Sequence, residues 1–253
     1  MKFQIKEVKK AVEFIELIKL IKTLSQHLTC MCTSDQIYIQ IMDSSHVCLV
    51  DLIIPNTWFY IYESQNITFS VSANILTKVC AMYTLDSIIE FIIDDENPDK
   101  LDIHIMHKLQ NKMFSIPLMD IERDILSTKD LDTKLDFQVN TKVLEKYVTE
   151  LALFGEDITI ECRDDKVYLG SEGIEGKYNI EIENEQLEEF NVVENYNFKG
   201  SYSIKYLQYI CKLFITYPVI NLYLDEDSPL MITFTSTDIK LKFFVAPKCT
   251  DSD

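Results

Sequence analysis

The sequence has little glycine and little positive charge, and each shortage argues against a class of function. Glycine occurs five times in 253 residues, and the first is Gly155. The N-terminal half therefore has no glycine-rich loop that could bring backbone amides to a nucleotide phosphate. Lysine and arginine number 24 against 41 aspartates and glutamates, a net charge of −17. A uniformly acidic surface repels polyanions, which argues against a simple basic DNA-binding module.

Signals for export and for disulfide bonding are also lacking. The start, MKFQIKEVKK, has no apolar signal core, and no apolar run is long enough to cross a bilayer. The seven cysteines include no CxxC pair, and Cys48, Cys80 and Cys211 lie inside apolar runs. This usage is typical of a reducing compartment. We therefore expect a soluble intracellular protein with no membrane partner.

What is present is a repeat with a spacing of about 130 residues. At a shift of 131, residues 75–98 align with 206–229 without a gap. Apolar residues, a proline and an acidic turn coincide in the two segments: Leu76, Cys80, Asp94 and Pro98 meet Leu207, Cys211, Asp225 and Pro229. Two helix-then-strand units could match in part by chance, but the shared order of elements favours duplication. We predict two similar domains, 1–119 and 135–253, joined by a charged connecting loop, 120–134.

Each half shows the same succession of helices and strands. Apolar residues at helical spacing predict helices at 8–24, 73–83, 141–154 and 203–215. Alternation of β-branched and aromatic residues predicts strands at 36–41, 47–54, 87–93, 101–107, 112–117, 158–162, 166–169, 218–224, 230–235 and 239–245. The predicted class is α+β, with two helices backed by antiparallel sheets in each domain.

The predicted helices do not share the acidity of the chain. Segments 8–24 and 203–217 each carry a net charge of +2, segment 72–83 carries +1 and segment 141–154 is neutral. The helices thus sum to +5, and the rest of the chain carries −22. A few lysines are ordinary on any one helix, but the four together indicate segregation of charge. If the helices share one surface, that surface could face phosphates while the remainder repels them.

Several short motifs resemble one family. Gln40–Val50 reads QIMDSSHVCLV, Leu118–Ile121 reads LMDI, Ile204–Leu207 reads IKYL and Phe243–Lys248 reads FFVAPK. These are similar to motifs of the proliferating cell nuclear antigen family, the eukaryotic sliding clamps, and the similarity runs through nearly the whole chain. The resemblance implies a DNA-clamp fold and a head-to-tail homotrimer, a ring with helices lining the hole and sheets outside.

The resemblance also implies the function. Such a ring is threaded by duplex DNA without sequence preference and acts as a non-enzymatic processivity factor in DNA replication and repair, without metal or other cofactor. The implied partners are DNA polymerase, clamp loader, flap endonuclease and DNA ligase, bound through short peptide motifs. The implied location is the nucleus, or a viral replication compartment if a virus encodes the chain.

Carried over position by position, the resemblance implies three sets of site residues. The channel lysines that contact DNA would be Lys9, Lys10, Lys19, Lys22, Lys78, Lys146, Lys205 and Lys212. The pocket for partner peptides would be lined by Met42, His46, Val47, Leu49, Leu126, Pro229, Phe244, Ala246 and Pro247. The subunit interface would join the strand around Phe114 to the strand around Tyr178 of the next copy.

Two alternatives stay open at this point. Tyr178 stands where the family usually has a small residue, so the chain could be one subunit of a heteromeric checkpoint or specialised clamp. The acidic turn around Asp94 and Asp95 could belong to a metal-dependent nuclease. However, its match in the second half favours a pair of solvated hairpins. His104 and His107 fall on opposite faces of a predicted strand and cannot share one metal. No catalytic constellation is evident, and we do not expect an enzyme.

Overall fold

The computed structural model describes residues 1–121, 125–128, 133–174, 176–235 and 238–248. The chain divides into two compact units. The first consists mainly of Met1–Ser44 and Val50–Leu126, and the second mainly of Ser127–Ser236 and Lys242–Asp253. The short segment Ser45–Leu49 belongs to the second unit.

The described residues of the first unit form two helices and nine strands. The helices are α1 (Val8–Leu24) and α2 (Ala73–Cys80). The strands are β1 (Lys2–Ile5), β2 (His27–Cys32), β3 (Gln36–Met42), β4 (Cys48–Pro55), β5 (Ile61–Glu63), β6 (Ile67–Ser72), β7 (Ile88–Asp94), β8 (Asn97–His107) and β9 (Gln110–Pro117). They are arranged in the orders β5-β1-β7-β8-β9 and β4-β3-β2-β6.

Apolar spacing along α1 explains how the first unit is packed. Ala11, Phe14 and Ile18 recur at helical intervals and are buried. The Phe14 ring meets the Phe91 ring of β7 edge-on at 5.4 Å, and Phe91 stacks on Phe3 of β1 at 4.6 Å. Helix α2 packs beside α1. The two helices therefore cover the sheet on one side and leave their own outer faces to solvent.

The second unit repeats this arrangement. Its helices are α3 (Thr141–Leu151) and α4 (Ile204–Cys211), which pack against each other. Its strands are β10 (Leu135–Asn140), β11 (Asp157–Arg163), β12 (Lys166–Gly173), β13 (Gly176–Ile182), β14 (Leu187–Val192), β15 (Phe198–Ser203), β16 (Val219–Leu224), β17 (Leu230–Phe234) and β18 (Lys240–Val245). They are arranged in the orders β14-β10-β16-β17-β18 and β13-β12-β11-β15.

The strand orders of the two units correspond one to one, with β10 in the place of β1 and each later strand in the place of its counterpart. Helices α1 and α3 follow the first strand of each unit, and α2 and α4 follow the sixth. The prediction of an α+β chain with two helices and antiparallel sheets in each repeat is confirmed.

Three of the predicted helices are too long. Helix α2 ends at Cys80 instead of residue 83, α3 ends at Leu151 instead of 154, and α4 ends at Cys211. A short 3-10 helix, Lys212–Ile215, follows α4. Helices α2 and α3 end for the same reason. After each helix, the backbone hydrogen bonds join residues three apart: Met82 N–H to Val79 O at 3.0 Å, and Phe154 N–H to Leu151 O at 3.0 Å.

Two further features of the described residues concern their helices and their cysteines. No helix among them has the length and apolar character needed to cross a membrane. Their six cysteines are buried and unbridged. Burial raises the pKa of the Cys32 and Cys80 thiols to about 12, so these side chains act as small apolar residues.

Candidate functional site

In the first unit, the outer faces of α1 and α2 present lysines to solvent. Lys9, Lys19, Lys22 and Lys78 are exposed. The Lys19 ammonium lies 2.7 Å from a carboxylate oxygen of Glu16, one turn earlier. Among the described residues, Lys9, Lys22 and Lys78 have no carboxylate within ion-pair distance. Of these four exposed lysines, Lys19 is therefore paired and the other three are not.

Lys10 differs from the other predicted channel lysines. Its Nζ donates to the Trp58 carbonyl oxygen at 2.9 Å and pairs with Glu7 at 3.1 Å. The same ammonium lies 5.7 Å from the centroid of the Trp58 ring. These contacts fasten the start of α1 to the 3-10 turn Asn56–Trp58. The charge of Lys10 is thus satisfied within its own unit.

In the second unit, α4 and the turn after it present the more basic face. Lys205 and Lys212 are exposed, and α4 with its 3-10 extension contains no acidic residue. The Lys205 ammonium lies 4.7 Å from the centroid of the Tyr206 ring, and the Lys212 ammonium lies 5.6 Å from that of Tyr209. These aromatic contacts hold the long side chains along the helix without neutralising their charge.

Helix α3 is more nearly balanced. Lys146 is exposed and lies 3.8 Å from Glu150, one turn later. Lys142, at the start of the helix, is exposed as well. It was counted in the charge of this segment but was not among the predicted channel lysines. Lys142 is therefore a further cation on the outer face of the second unit.

The two strands predicted to form the subunit interface lie at sheet edges. Within the described residues, β9 pairs only with β8, and β13 pairs only with β12. Each strand therefore has a row of backbone N–H and C=O groups available for another strand. Phe114 of β9 is half-buried, and its neighbour Met113 is 73% exposed.

Tyr178 of β13 packs against its own unit. Its ring centroid lies 5.3 Å from that of Phe154, and its hydroxyl donates to Glu150 at 3.2 Å. Partial burial and the neighbouring Glu150 carboxylate raise the pKa of Tyr178 above its ordinary value. The large side chain thus covers the end of α3, while the β13 backbone remains free on its outer edge.

The first unit contains two of the predicted peptide-pocket residues, Met42 and Leu126. Met42 is the last residue of β3 and is half-buried, and Leu126 is 46% exposed. The side-chain amide of Gln40 forms hydrogen bonds with both the backbone N–H and the backbone C=O of Leu126. Gln40 was not among the predicted site residues.

The second unit brings several other pocket residues together. The Ala246 N–H donates to the Val47 carbonyl oxygen at 2.8 Å. Phe244 pairs with Met231 across β17 and β18, and Pro229 directly precedes β17, so Pro229 lies near Ala246. Leu49 and Phe244 are each 8% exposed.

The other members of this cluster are more exposed than Leu49 and Phe244. Val47, Pro229 and Ala246 are half-buried, while His46 and Pro247 are exposed. His46 lies in the turn between β3 and β4 with a left-handed backbone, φ 57°.

The acidic turns cap their own hairpins. The Glu96 N–H donates to Asp94 Oδ1 at 3.1 Å, and the Asp227 N–H donates to Asp225 Oδ1 at 3.2 Å. In the ranges that the structure describes, no group of three or more His, Cys, Asp or Glu residues could hold a metal ion. These carboxylates therefore stabilise turns, as the matching positions in the two halves suggest.

Comparison with known proteins identifies the family. A family model described as the proliferating cell nuclear antigen (PCNA) N-terminal domain matches residues 4–126. A probable DNA polymerase sliding clamp 2 of Paramecium bursaria Chlorella virus 1 is 26% identical over 228 residues, which cover 87% of this chain and 81% of that protein. The proliferating cell nuclear antigen of Chaetomium thermophilum is 26% identical over 245 residues, 92% of this chain and 93% of the relative. The chain belongs to the PCNA-type sliding clamps.

A third relative extends the comparison to archaea. The DNA polymerase sliding clamp of Methanococcus vannielii is 26% identical over 212 residues, 82% of this chain and 84% of the relative. The resemblance seen in the sequence motifs is therefore confirmed. In this sliding clamp, the family model covers the first unit, and the second unit repeats the strand order of the first.

Proposed function

We propose that this sliding clamp encircles duplex DNA and holds a DNA polymerase on it, as a processivity factor with no catalytic activity of its own. The observation that carries the proposal is the sorting of charge in a chain of this family. The helix faces expose uncompensated lysines although the whole chain carries a net charge of −17. Contacts to phosphates alone read no sequence and permit sliding.

The ring is proposed to be a homotrimer in which β9 of one copy pairs with β13 of the next. A head-to-tail contact between two different edges closes into a ring if the rotation permits. Light scattering at several protein concentrations tests this. Three copies of 29.5 kDa give about 88 kDa, the mass we expect. A monomer at every concentration would contradict the homotrimer and favour a subunit of a heteromeric clamp.

The proposed DNA contacts are the predicted channel lysines that are exposed. They are Lys9, Lys19, Lys22, Lys78, Lys146, Lys205 and Lys212, without Lys10. Because the rest of the surface is acidic, we expect binding to linear duplex DNA that is weak and disappears at modest salt. Fluorescence anisotropy of a labelled duplex measures it. A micromolar complex that salt does not weaken would contradict the proposed contacts.

A second proposed site binds short peptide segments of partner proteins, including polymerase, clamp loader, flap endonuclease and DNA ligase. We propose that the predicted pocket residues line it. An aliphatic and two aromatic side chains from a helical turn of the partner would fill such a pocket.

Phe244→Ala tests this site, and Phe234→Ala is its matched control. Both phenylalanines are 8% exposed and lie on neighbouring strands of the second unit. Each truncation is expected to lower the free energy of unfolding by about 3 kcal/mol. Only Phe244→Ala should abolish peptide binding, and assembly should survive in both variants. Unchanged peptide affinity in Phe244→Ala would remove Phe244 from the site.

The proposed place of action is the nucleus or a viral replication compartment. The relatives include one protein from a eukaryote and one from a DNA virus. Fluorescent tagging in the source cell, with labelled replicating DNA as the reference, tests this. Signal away from replicating DNA would contradict it.

A further inference from the structure

The segment after β9 is fastened to the first unit at two places. The Met119 N–H donates to the Ser70 carbonyl oxygen at 2.8 Å. Further along, the Leu126 N–H donates to Gln40 Oε1 at 2.8 Å, and Gln40 Nε2 donates to the Leu126 carbonyl oxygen at 2.9 Å. One side-chain amide thus pairs with both backbone groups of Leu126, as a neighbouring strand would.

A hydrogen bond to Tyr38 fixes the orientation of the Gln40 side-chain amide. Its second Nε2 hydrogen is donated to the Tyr38 hydroxyl oxygen at 2.9 Å. The Tyr38 hydroxyl oxygen is the acceptor in this bond, and the Asp51 carboxylate acts on the same hydroxyl electrostatically. Burial and this carboxylate raise the pKa of Tyr38 to about 12, and the hydroxyl stays protonated in neutral solution. A flipped amide would set Nε2 against the Leu126 N–H, donor against donor.

The hydrogen bonds between Gln40 and the Leu126 backbone have a consequence for the position of the Leu126 side chain. That side chain is 46% exposed, so packing alone does not hold it. Residues 40 and 42 of β3 point to the same face of the strand, because side chains alternate along it. Gln40 therefore holds Leu126 on the face that also carries Met42. Both leucine and methionine belong to the proposed peptide pocket.

We infer that Gln40 is a positioning residue that clamps the backbone of Leu126 and thereby presents the Leu126 side chain to partner peptides. The inference rests on the proposed peptide site. Gln40 itself is 8% exposed, and both of its side-chain N–H donors and its carbonyl oxygen are engaged by Leu126 and Tyr38. Methionine at this position would fill the same volume without donating or accepting these bonds.

The first test is hydrogen exchange of individual backbone amides in Gln40→Met. The matched control is Gln4→Met, because Gln4 is also 8% exposed, lies on a strand of the same unit and donates to Glu90. We expect the Leu126 amide to exchange roughly tenfold faster in Gln40→Met only. The Met119 amide should exchange at the wild-type rate in both. An unchanged exchange rate of the Leu126 amide in Gln40→Met would show that Gln40 does not hold the Leu126 backbone.

The second test measures binding of a synthetic peptide with one aliphatic and two aromatic anchors on a helical turn. We expect Gln40→Met to weaken its affinity roughly tenfold, Tyr38→Phe to weaken it less, and Gln4→Met to leave it unchanged. If wild type and Gln40→Met bind equally, the positioning role is wrong while the peptide site stands. If wild type does not bind, the peptide site is wrong and the role of Gln40 in presenting Leu126 is lost with it.

A double-mutant cycle separates positioning from general destabilisation. Tyr38 acts on Leu126 only through Gln40 in this arrangement. The effects of Gln40→Met and Tyr38→Phe on peptide affinity should therefore not add. Additive effects would show that Tyr38 does not orient the amide, and would overturn the hydrogen-bonded connection from Tyr38 through Gln40 to Leu126.

Discussion

Replacing Lys205 and Lys212 by alanine removes the cations that α4 and its 3-10 extension expose, without altering the core of the second unit. Both side chains are exposed, and no acidic residue lies between Ile204 and Ile215 to compensate them. If this face meets DNA, the double variant should bind linear duplex more weakly. It should also respond less to salt, because fewer counterions are released when it binds.

The magnitude follows from the number of phosphate contacts. Each lysine on a phosphate contributes about 0.9 to the slope of log affinity against log salt concentration. With α4 of one subunit on the DNA, the double variant should have a slope smaller by about 1.8. Between 50 and 200 mM salt, wild type should then lose roughly twelvefold more affinity than the variant. Fluorescence anisotropy of a labelled duplex across this range measures both slopes.

The matched control changes the net charge equally but elsewhere. Lys166 pairs with Glu181 and lies 3.6 Å from Glu183, and Lys248 lies 2.6 Å from Asp157. A Lys166→Ala/Lys248→Ala variant should keep the wild-type slope. Equal losses in the two double variants would refute the proposed helix surface and leave only a dependence on net charge.

Three further predictions concern the pocket and the stability of the units. Leu126→Ala should weaken peptide binding, measured by calorimetry, roughly fivefold, because burial of the 46% exposed Leu126 side chain by a partner contributes about 1 kcal/mol to binding. Leu85→Ala should leave the affinity unchanged, although Leu85 is 67% exposed. Burial raises the pKa of Glu90, but hydrogen bonds from three neighbours outweigh it and hold the pKa below its ordinary value. The contribution of Glu90 to the free energy of unfolding is thus fully present at pH values above that ordinary pKa, and it is lost as the pH falls through the folded pKa. In Glu90→Gln, the free energy of unfolding measured in acid should therefore depend less on pH in this range. Gly173→Ala would set a Cβ 2.2 Å from the Phe154 carbonyl oxygen and should lower the free energy of unfolding in urea by about 1–3 kcal/mol; an unchanged midpoint would contradict this.

Helical periodicity predicted the helices better than their ends. The apolar positions of α1 place its limits at Val8 and Leu24, as the structure does. Beyond Cys80, however, the chain continues with bonds between residues three apart instead of four. A pattern of apolar residues is compatible with both spacings over a single turn, so it cannot locate the change.

Three of the strands that sequence reasoning missed, β1, β13 and β14, are short or polar. Strand β1 has four residues, too few for a clear alternation. Strands β13 and β14 carry glutamates and asparagines on their outer faces, and most of their residues are exposed. Each becomes a strand because an adjacent strand, β12 or β10, supplies its hydrogen bonds. That information lies elsewhere in the chain.

The positions of some site residues follow from the local sequence, and those of others depend on contacts with distant parts of the chain. The exposed lysines of α4 follow from the sequence, because helix periodicity alone puts them on the outer face. Lys10 was expected there too, but its ammonium is held by Trp58, 48 residues away. Gln40 alternates with buried isoleucines and should face solvent. It is buried because Leu126, 86 residues later, lies against it.

If the protein holds DNA by encircling it, its retention on DNA must depend on the order in which the DNA ends are blocked. A linear duplex biotinylated at both ends is mixed with the protein, the ends are blocked with streptavidin, and the sample is washed at a salt concentration that abolishes phosphate contacts. We expect protein to be retained when streptavidin is added after it, and not to be retained when streptavidin is added first. Equal retention in both orders would mean that the protein binds the side of the duplex, and would contradict the threaded ring.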